Sequence, residues 1–260
     1  MAYDLNNFVI DHVLRGYMAS TADGSYMWSI NQITDPSLSI TSETAEATDA
    51  LGSVITTFNR GKSAEFSASN SLFDLGLYAA QMGNSKKVAS STSKITVPCF
   101  ETLTVASGAT TATLSHTPKS EITEIFELKG DGTMGTRFTK STAAAADKFV
   151  QAGTTITVPT GFTGQLFAVY EYDSDAAVSV TGDATNFPKA GKFIMEILGT
   201  DTCDPTTLIH AYLVFPNAKL DANVDVSFTT DGAHPFTIQA NQDYCDSQKT
   251  LFHLIVPQEA

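Results

Sequence analysis

The chain has 260 residues, 42% of them hydrophobic and only 17% charged, and its 28 acidic and 15 basic side chains leave a formal net charge of −13 at pH 7. This length admits one large or two modest domains. The acidic balance opposes nucleic-acid binding, which needs Lys and Arg against phosphates, and disfavours anionic membrane surfaces.

Charged residues fall below the ~25% usual in soluble domains, and Thr, Ser and Ala take their place. Neutral hydroxyls cost less to bury than charges, so the mix suits β-structure partly covered by neighbouring subunits. Lys86 and Lys87 are the nearest approach to a basic patch. No stretch reaches the ~20 apolar residues of a membrane span. Residues 1–7 lack the basic and apolar regions of a secretory signal. Cys99, Cys203 and Cys245 are far apart and unpaired in spacing, which predicts free thiols and synthesis in a reducing cytoplasm.

In chain order, Tyr3 to Trp28 has a mixed pattern and is expected to form an N-terminal arm with one short helical turn. Leu38 and Ile40 alternate with Ser39 and Thr41, a strand period. The polar run Ser42 to Thr48 leads to a turn at Asp49-Ala50-Leu51-Gly52. Ser53 to Asn59 predicts a second strand, Asn59 to Lys62 a turn, and Ala64, Phe66 and Ala68 a third strand. One helix is expected after Asn70 or Ser71 as N-cap, with Asp74 in its first turn and Gly83-Asn84 ending it.

Ser85 to Lys94 has a linker composition. Beyond it, short strands are predicted at Glu101–Val105, Thr110–His116, Ile122–Leu128, Thr136–Lys140, Thr154–Val158, Leu166–Tyr172 and Val178–Thr181, a spacing that suits a small β-sandwich. Ala143 to Asp147 fits a helical turn within it. Asn186-Phe187-Pro188 marks a boundary, followed by strands at Lys192–Leu198, Ile209–Phe215, Val224–Thr229, Pro235–Ala240 and Leu251–Val256. Neither outer segment has enough strands to close a barrel, so the two are expected to pair with each other.

Signatures of catalysis are missing: there is no G-x-S-x-G, no G-x-x-x-x-G-K-[ST] phosphate loop and no H-E-x-x-H, and the G-x-G-x-x-G spacing at Gly130-Asp131-Gly132-Thr133-Met134-Gly135 follows a strand in a turn-dense β region with no helix after it. Gly130-Asp131-Gly132 fits a hairpin turn better than a phosphate cradle. Asp173-Ser174-Asp175 lacks the glycine and glutamate that a calcium loop places later. His210, His234 and Cys245 fall in one strand region, yet tight zinc spacing is missing. Trp28, the sole tryptophan, is expected as a packing anchor of the arm.

Two stretches carry a resemblance. One runs from Ser42-Glu43-Thr44-Ala45-Glu46-Ala47-Thr48-Asp49-Ala50-Leu51-Gly52 through Ala64-Glu65-Phe66-Ser67-Ala68-Ser69-Asn70-Ser71-Leu72. The other runs from Ala211-Tyr212-Leu213-Val214-Phe215-Pro216 through Phe228 to Phe236, with a closing strand at Leu251 to Val256. Together they resemble the tail tube proteins of long-tailed phages, which fold as a twisted β-sandwich or barrel flanked by one α-helix.

The resemblance implies a mostly β chain with tube-domain parts at 1–95 and 186–260. An immunoglobulin-like β-sandwich is inserted at 96–185. It further implies a virion structural protein, not an enzyme, that forms stacked hexameric rings and conducts DNA without specific binding. Tail, baseplate or head-connector proteins would be its other partners, with no cofactor, no metal and no membrane. Glu43, Glu46, Asp49 and Leu51 are the candidate subunit-interface residues; in a plain solvated loop the same carboxylates would merely aid solubility. A head decoration protein, a tail-terminator and a cell-surface glycan-binding module are the alternatives.

Overall fold

The computed structural model describes residues 7–202, 204–230, 232–242 and 249–257. Four strands come first: β1 (Phe8–Ser20), β2 (Tyr26–Ile30), β3 (Ile33–Thr48) and β4 (Val54–Asn70), then helix α1 (Leu75–Gln81). Nine shorter or medium strands follow: β5 (Lys87–Val88), β6 (Ile95–Val105), β7 (Thr111–Thr113), β8 (Glu124–Leu128), β9 (Met134–Lys140), β10 (Lys148–Ala152), β11 (Thr155–Thr157), β12 (Gly164–Ser174) and β13 (Val178–Ser179). The chain ends with β14 (Ala190–Asp201), β15 (Asp204–Leu220), β16 (His234–Ala240) and β17 (His253–Ile255). Backbone contacts divide it into two compact units, Met1–Lys86 with Val180–Ala260, and Lys87–Ser179.

The first unit is one antiparallel sheet in the order β2-β1-β14-β15-β16-β4-β3, with β17 added on β15. The two outer segments of chain therefore interleave, β1 on β14 and β16 on β4. The sheet bends into a nearly closed barrel around one core. Strict alternation builds that core. Phe193, Met195 and Ile197 of β14 point inward, as do Phe236 and Ile238 of β16. Trp28 stacks on Phe193 with centroids 5.6 Å apart. Each such side chain contributes ~1.5–3 kcal/mol on burial.

Several sequence expectations change here. From Phe8 onward the N-terminal arm is β1 and β2, both in the sheet, with no helical turn among its described residues, and residues 3–6 lie outside them; Trp28 is a core residue of β2. The arm-like pattern arises because only the second half of β1 alternates buried and exposed positions. The expected three-strand meander is two strands. The predicted turn at Asn59 to Lys62 is a bulge inside β4, where Glu43 pairs with Gly61 and Thr44 with Asn59, leaving Arg60 as the extra residue. Val224–Thr229 forms no strand.

The helix is shorter than expected. Asn70 closes β4, and Asp74 is the N-cap, its carboxylate accepting from Leu77 N at 2.7 Å. Leu72 and Phe73, which an N-cap at Asn70 or Ser71 would place inside the helix, precede it. Gly83 ends the turn with φ +70°, and a Cβ there would lie 2.5 Å from the backbone of Phe187. Only glycine fits.

The second unit is a sheet in the order β6-β12-β8-β9-β10-β11-β7, curled around Leu103, Ile125, Phe138, Phe149, Ile156 and Leu166. The helical turn expected at Ala143 to Asp147 is absent: Ala145 bridges to Lys148 and β10 follows. Gly130 to Gly132 forms the β8–β9 hairpin turn, with Lys129 N donating to Thr133 O at 2.9 Å. Asp173 and Ser174 complete β12, and Thr96 Oγ1 donates to Asp173 at 2.8 Å. Tyr170 and Glu101 lock this unit. The phenol donates to the carboxylate at 2.6 Å, and Ser115 N and Oγ donate to the same group at 2.9 and 2.6 Å. Burial pushes the Glu101 pKa up, but the bonds from Ser115 and Tyr170 outweigh it and hold the carboxyl below its usual value. Burial and then the Glu101 bond push the Tyr170 phenol far upward.

Candidate assembly surface

The candidate residues Glu43, Glu46, Asp49 and Leu51 all fall on the β3–β4 hairpin. From Thr41 to Ser63 the hairpin buries no side chain; only Ala45 and Ala47 are half-covered. The two strands stay paired over this length, Ala45 opposite Phe58 and Ala47 opposite Thr56. A second bulge follows, where Thr48 pairs with Val54 and Ile55 is the extra residue.

Asp49 has a local task. Its backbone N–H donates to Ser53 O at 2.9 Å, and its Oδ1 accepts from Leu51 N at 2.9 Å and Ser53 N at 2.8 Å. Gly52 takes φ +85° to close the turn. The aspartate thus fixes the tip, while Leu51 is held outward at 92% exposure. Glu43 and Glu46 project into solvent.

Sequence polarity drew attention to these carboxylates, yet the hairpin also exposes Ile55 at 69% and Phe58 at 57%. Those two were missed because they look like an interior strand in a linear reading. Phe58, Thr56, Ala45 and Ala47 share one face, since directly opposed residues of an antiparallel pair point the same way. An isolated two-stranded ribbon is marginal in water. One with exposed aromatic and aliphatic side chains gains by burying them elsewhere. β3 is also an end strand of the sheet, with unpaired backbone groups along its outer side.

A cleft of about 600 Å³ lies elsewhere in the first unit, between the β1–β2 turn and α1. Gly76 and Ala80 of the helix, Tyr26, Lys86 and Lys189 are among its walls. Asp23, also on the wall, is engaged by Ser25, whose N and Oγ donate at 3.1 and 2.8 Å.

Beneath α1 lies a buried polar cluster. His234 is fully buried; its Nε2 donates to Gln81 Oε1 at 2.7 Å and its Nδ1 accepts from Asp74 N at 3.4 Å. Gln81 Nε2 donates to Pro235 O at 3.0 Å, and Phe73 stacks on the ring at 5.0 Å. Burial pushes the His234 pKa down, against the opposing pull of Asp74. This histidine docks the helix on β16. His210 sits apart from it on the surface, with Nδ1 2.9 Å from Glu196, and Cys245 lies outside the described residues. No group of three His, Cys, Asp or Glu able to hold a metal occurs among the described residues. Cys99 carries a free thiol, and Cys203 lies outside the described residues. No helix among the described residues is long and apolar enough to cross a membrane.

No curated protein matches the chain. The model of the YomU/Tube protein family does match, over residues 8–251, and so takes in both units. That span agrees with the barrel, its helix α1 and its uncovered hairpin; the chain belongs to the YomU/Tube protein family, a family of phage tail tube structural proteins.

Proposed function

We propose that this chain is the repeating subunit of a phage tail tube, assembled as hexameric rings that stack coaxially and conduct DNA during ejection. The observation that carries the reading is the β3–β4 hairpin: a long ribbon with no buried side chain yet with Leu51, Ile55 and Phe58 exposed. Such a ribbon is completed by copies of the same chain. Glu43, Glu46, Asp49 and Leu51 lie in that subunit interface, with Asp49 shaping the tip. The outer side of β3 would be consumed by pairing across subunits, which removes an edge that invites aggregation.

The role is structural rather than enzymatic. A net charge of −13 supports passage of DNA without adhesion, since an acidic wall offers phosphates no counter-charge. Residues 96–185 act as an inserted immunoglobulin-like domain on the tube-building parts at 1–95 and 186–260. Tail, baseplate or head-connector proteins cap the stack, and assembly takes place in the host cytoplasm. Electron microscopy of the purified full-length protein tests this. Six-fold rings or filaments with a central hole are expected. A protein that stays monomeric at high concentration overturns the proposal.

A further inference from the structure

Strand register gives the first unit two unlike ends. Ser20 lies opposite Gly191, Gly191 opposite Ala218, Ala218 opposite Ala240, and Ala240 opposite Ala64. These residues stand at one level across the sheet, and the cleft between the β1–β2 turn and α1 sits at that level, with Ser20 and Ala190 in its wall. From Ala64 the hairpin runs the other way along the strand direction to Val54, a path of ~33 Å at ~3.3 Å per residue. The tip and the cleft thus face opposite ends of one subunit.

The two ends also complement each other chemically. The distal part of the hairpin, from Glu43 to Phe58, carries three carboxylates and no cation, while Arg60 and Lys62 lie at its base beside Glu43. At the cleft, Lys86 and Lys189 have no ion-pair partner among the described residues, and the nearby Asp23 is occupied by Ser25. Gly76 and Ala80 present little side chain there, which leaves room for an apolar group. Leu51 is such a group, held outward at the tip by the Asp49 turn.

We propose that the hairpin tip of one copy seats in this cleft of the next. Leu51 enters beside Gly76 and Ala80, and Glu43 and Glu46 approach Lys86 and Lys189. The inference rests on the stacking of copies proposed above and names the surface that receives the hairpin. A knob and a hollow at opposite ends of the same chain make a head-to-tail contact, which propagates as a filament instead of closing on itself. The contact is partly ionic at an exposed rim, so it weakens as salt rises.

Two sets of full-length variants test the docking. Lys86→Glu with Lys189→Glu, and separately Glu43→Lys with Glu46→Lys, should each lower the sedimentable polymer at low salt by about ten-fold. The chain carrying all four changes should recover it. Ser85 also lies in the cleft wall, so, independently, Leu51→Cys with Ser85→Cys should give a ladder of linked subunits on oxidation that neither single variant gives. Should a charge-reversed chain fail to fold by circular dichroism, the cysteine pair decides alone. Wild-type filaments that persist in both reversed variants, with no ladder from the cysteine pair, overturn the docking and leave the tube reading standing. Absence of rings and filaments from the wild type removes the tube reading itself, and the docking with it.

Discussion

Asn84 and Asp183 stand 99 residues apart in the chain and meet at 3.0 Å, the Asn84 amide donating to the Asp183 carboxylate. Asn84 Nδ2 also donates to Thr181 O at 2.6 Å, and Asp183 accepts from the backbone of Thr185 and Asn186 at 3.0 and 2.8 Å. These contacts pin the chain where it leaves the first unit to the chain where it returns. Directly beyond, Val88 pairs with Val178 and Lys87 with Ser179.

Because the two ends of the second unit are paired side by side, that unit should be removable. Replacing residues 89–177 with a short glycine-containing turn converts β5 and β13 into a plain hairpin stub. The shortened chain should melt cooperatively and still form polymer. Excision of 96–185 instead removes Thr181 and Asp183 from their contacts with Asn84, and should yield a less stable product by thermal melting. Loss of soluble folded protein from the first excision would show that the barrel depends on the insert.

Asp183 itself gives a pH signature. The Asn84 amide, followed by the Thr185 and Asn186 backbone, holds its carboxyl far below the usual range. A group depressed on folding stabilises the native state above its unfolded value of ~3.9 and loses that contribution as pH falls toward the folded one. Asp183→Asn should therefore lower the melting temperature at neutral pH, with the difference from wild type shrinking below about pH 4. An unchanged difference down to strongly acid solution would count against the clasp.

His234 acts in a higher range. Burial keeps its ring neutral, so the folded chain binds fewer protons there than the unfolded one. Stability from this site is whole above ~6.5, the ordinary imidazole value, and declines as pH falls below it. His234→Leu removes that slope. It also leaves Gln81 Oε1 without its donor, at a cost of ~1–3 kcal/mol by chemical denaturation.

The hairpin separates folding from assembly. Phe58→Asp and Leu51→Asp alter exposed side chains, so denaturation midpoints should move by less than ~0.5 kcal/mol while sedimentable polymer falls. Asp49→Lys differs, because it removes the acceptor of two turn bonds and should loosen the tip by about 1 kcal/mol per bond. Polymer that is indifferent to all three would leave the hairpin a solvated loop.

In the second unit, Tyr170→Phe removes the phenol that Glu101 accepts from. A loss of ~1–3 kcal/mol is expected, since a hydrogen bond to a charged group is among the stronger kind. Hydrogen exchange should quicken in β6 and β12 and remain unchanged in β14 and β15. Equal quickening throughout would mean that the two units do not unfold separately.

Much of the architecture was readable because alternation was clean. Phe193, Met195 and Ile197, Phe236 and Ile238, and Leu166, Ala168 and Tyr170 all show the two-residue period that a half-buried strand imposes. The failures have a shared physical origin: the elements concerned do not bury one regular face. β1 is exposed over its first half, and the distal hairpin buries nothing, so neither has a pattern to read. Arg60 and Gly61 look like a turn in one dimension because a bulge uses the same residues. Among the candidate surface residues, the turn at Asp49 was visible from its sequence, whereas Ile55 and Phe58 needed burial values to be noticed.

The extra residues Arg60 and Ile55 matter for what happens before polymer exists. Each kinks and coils the ribbon locally, so two free hairpins meeting by chance present curved rims out of step with each other. Zipping from one end, the route by which flat strands run into fibrils, is interrupted at both kinks. A crowded pool of newly made chains is therefore expected to avoid irregular fibrils, with growth confined to contacts that have the matching curvature.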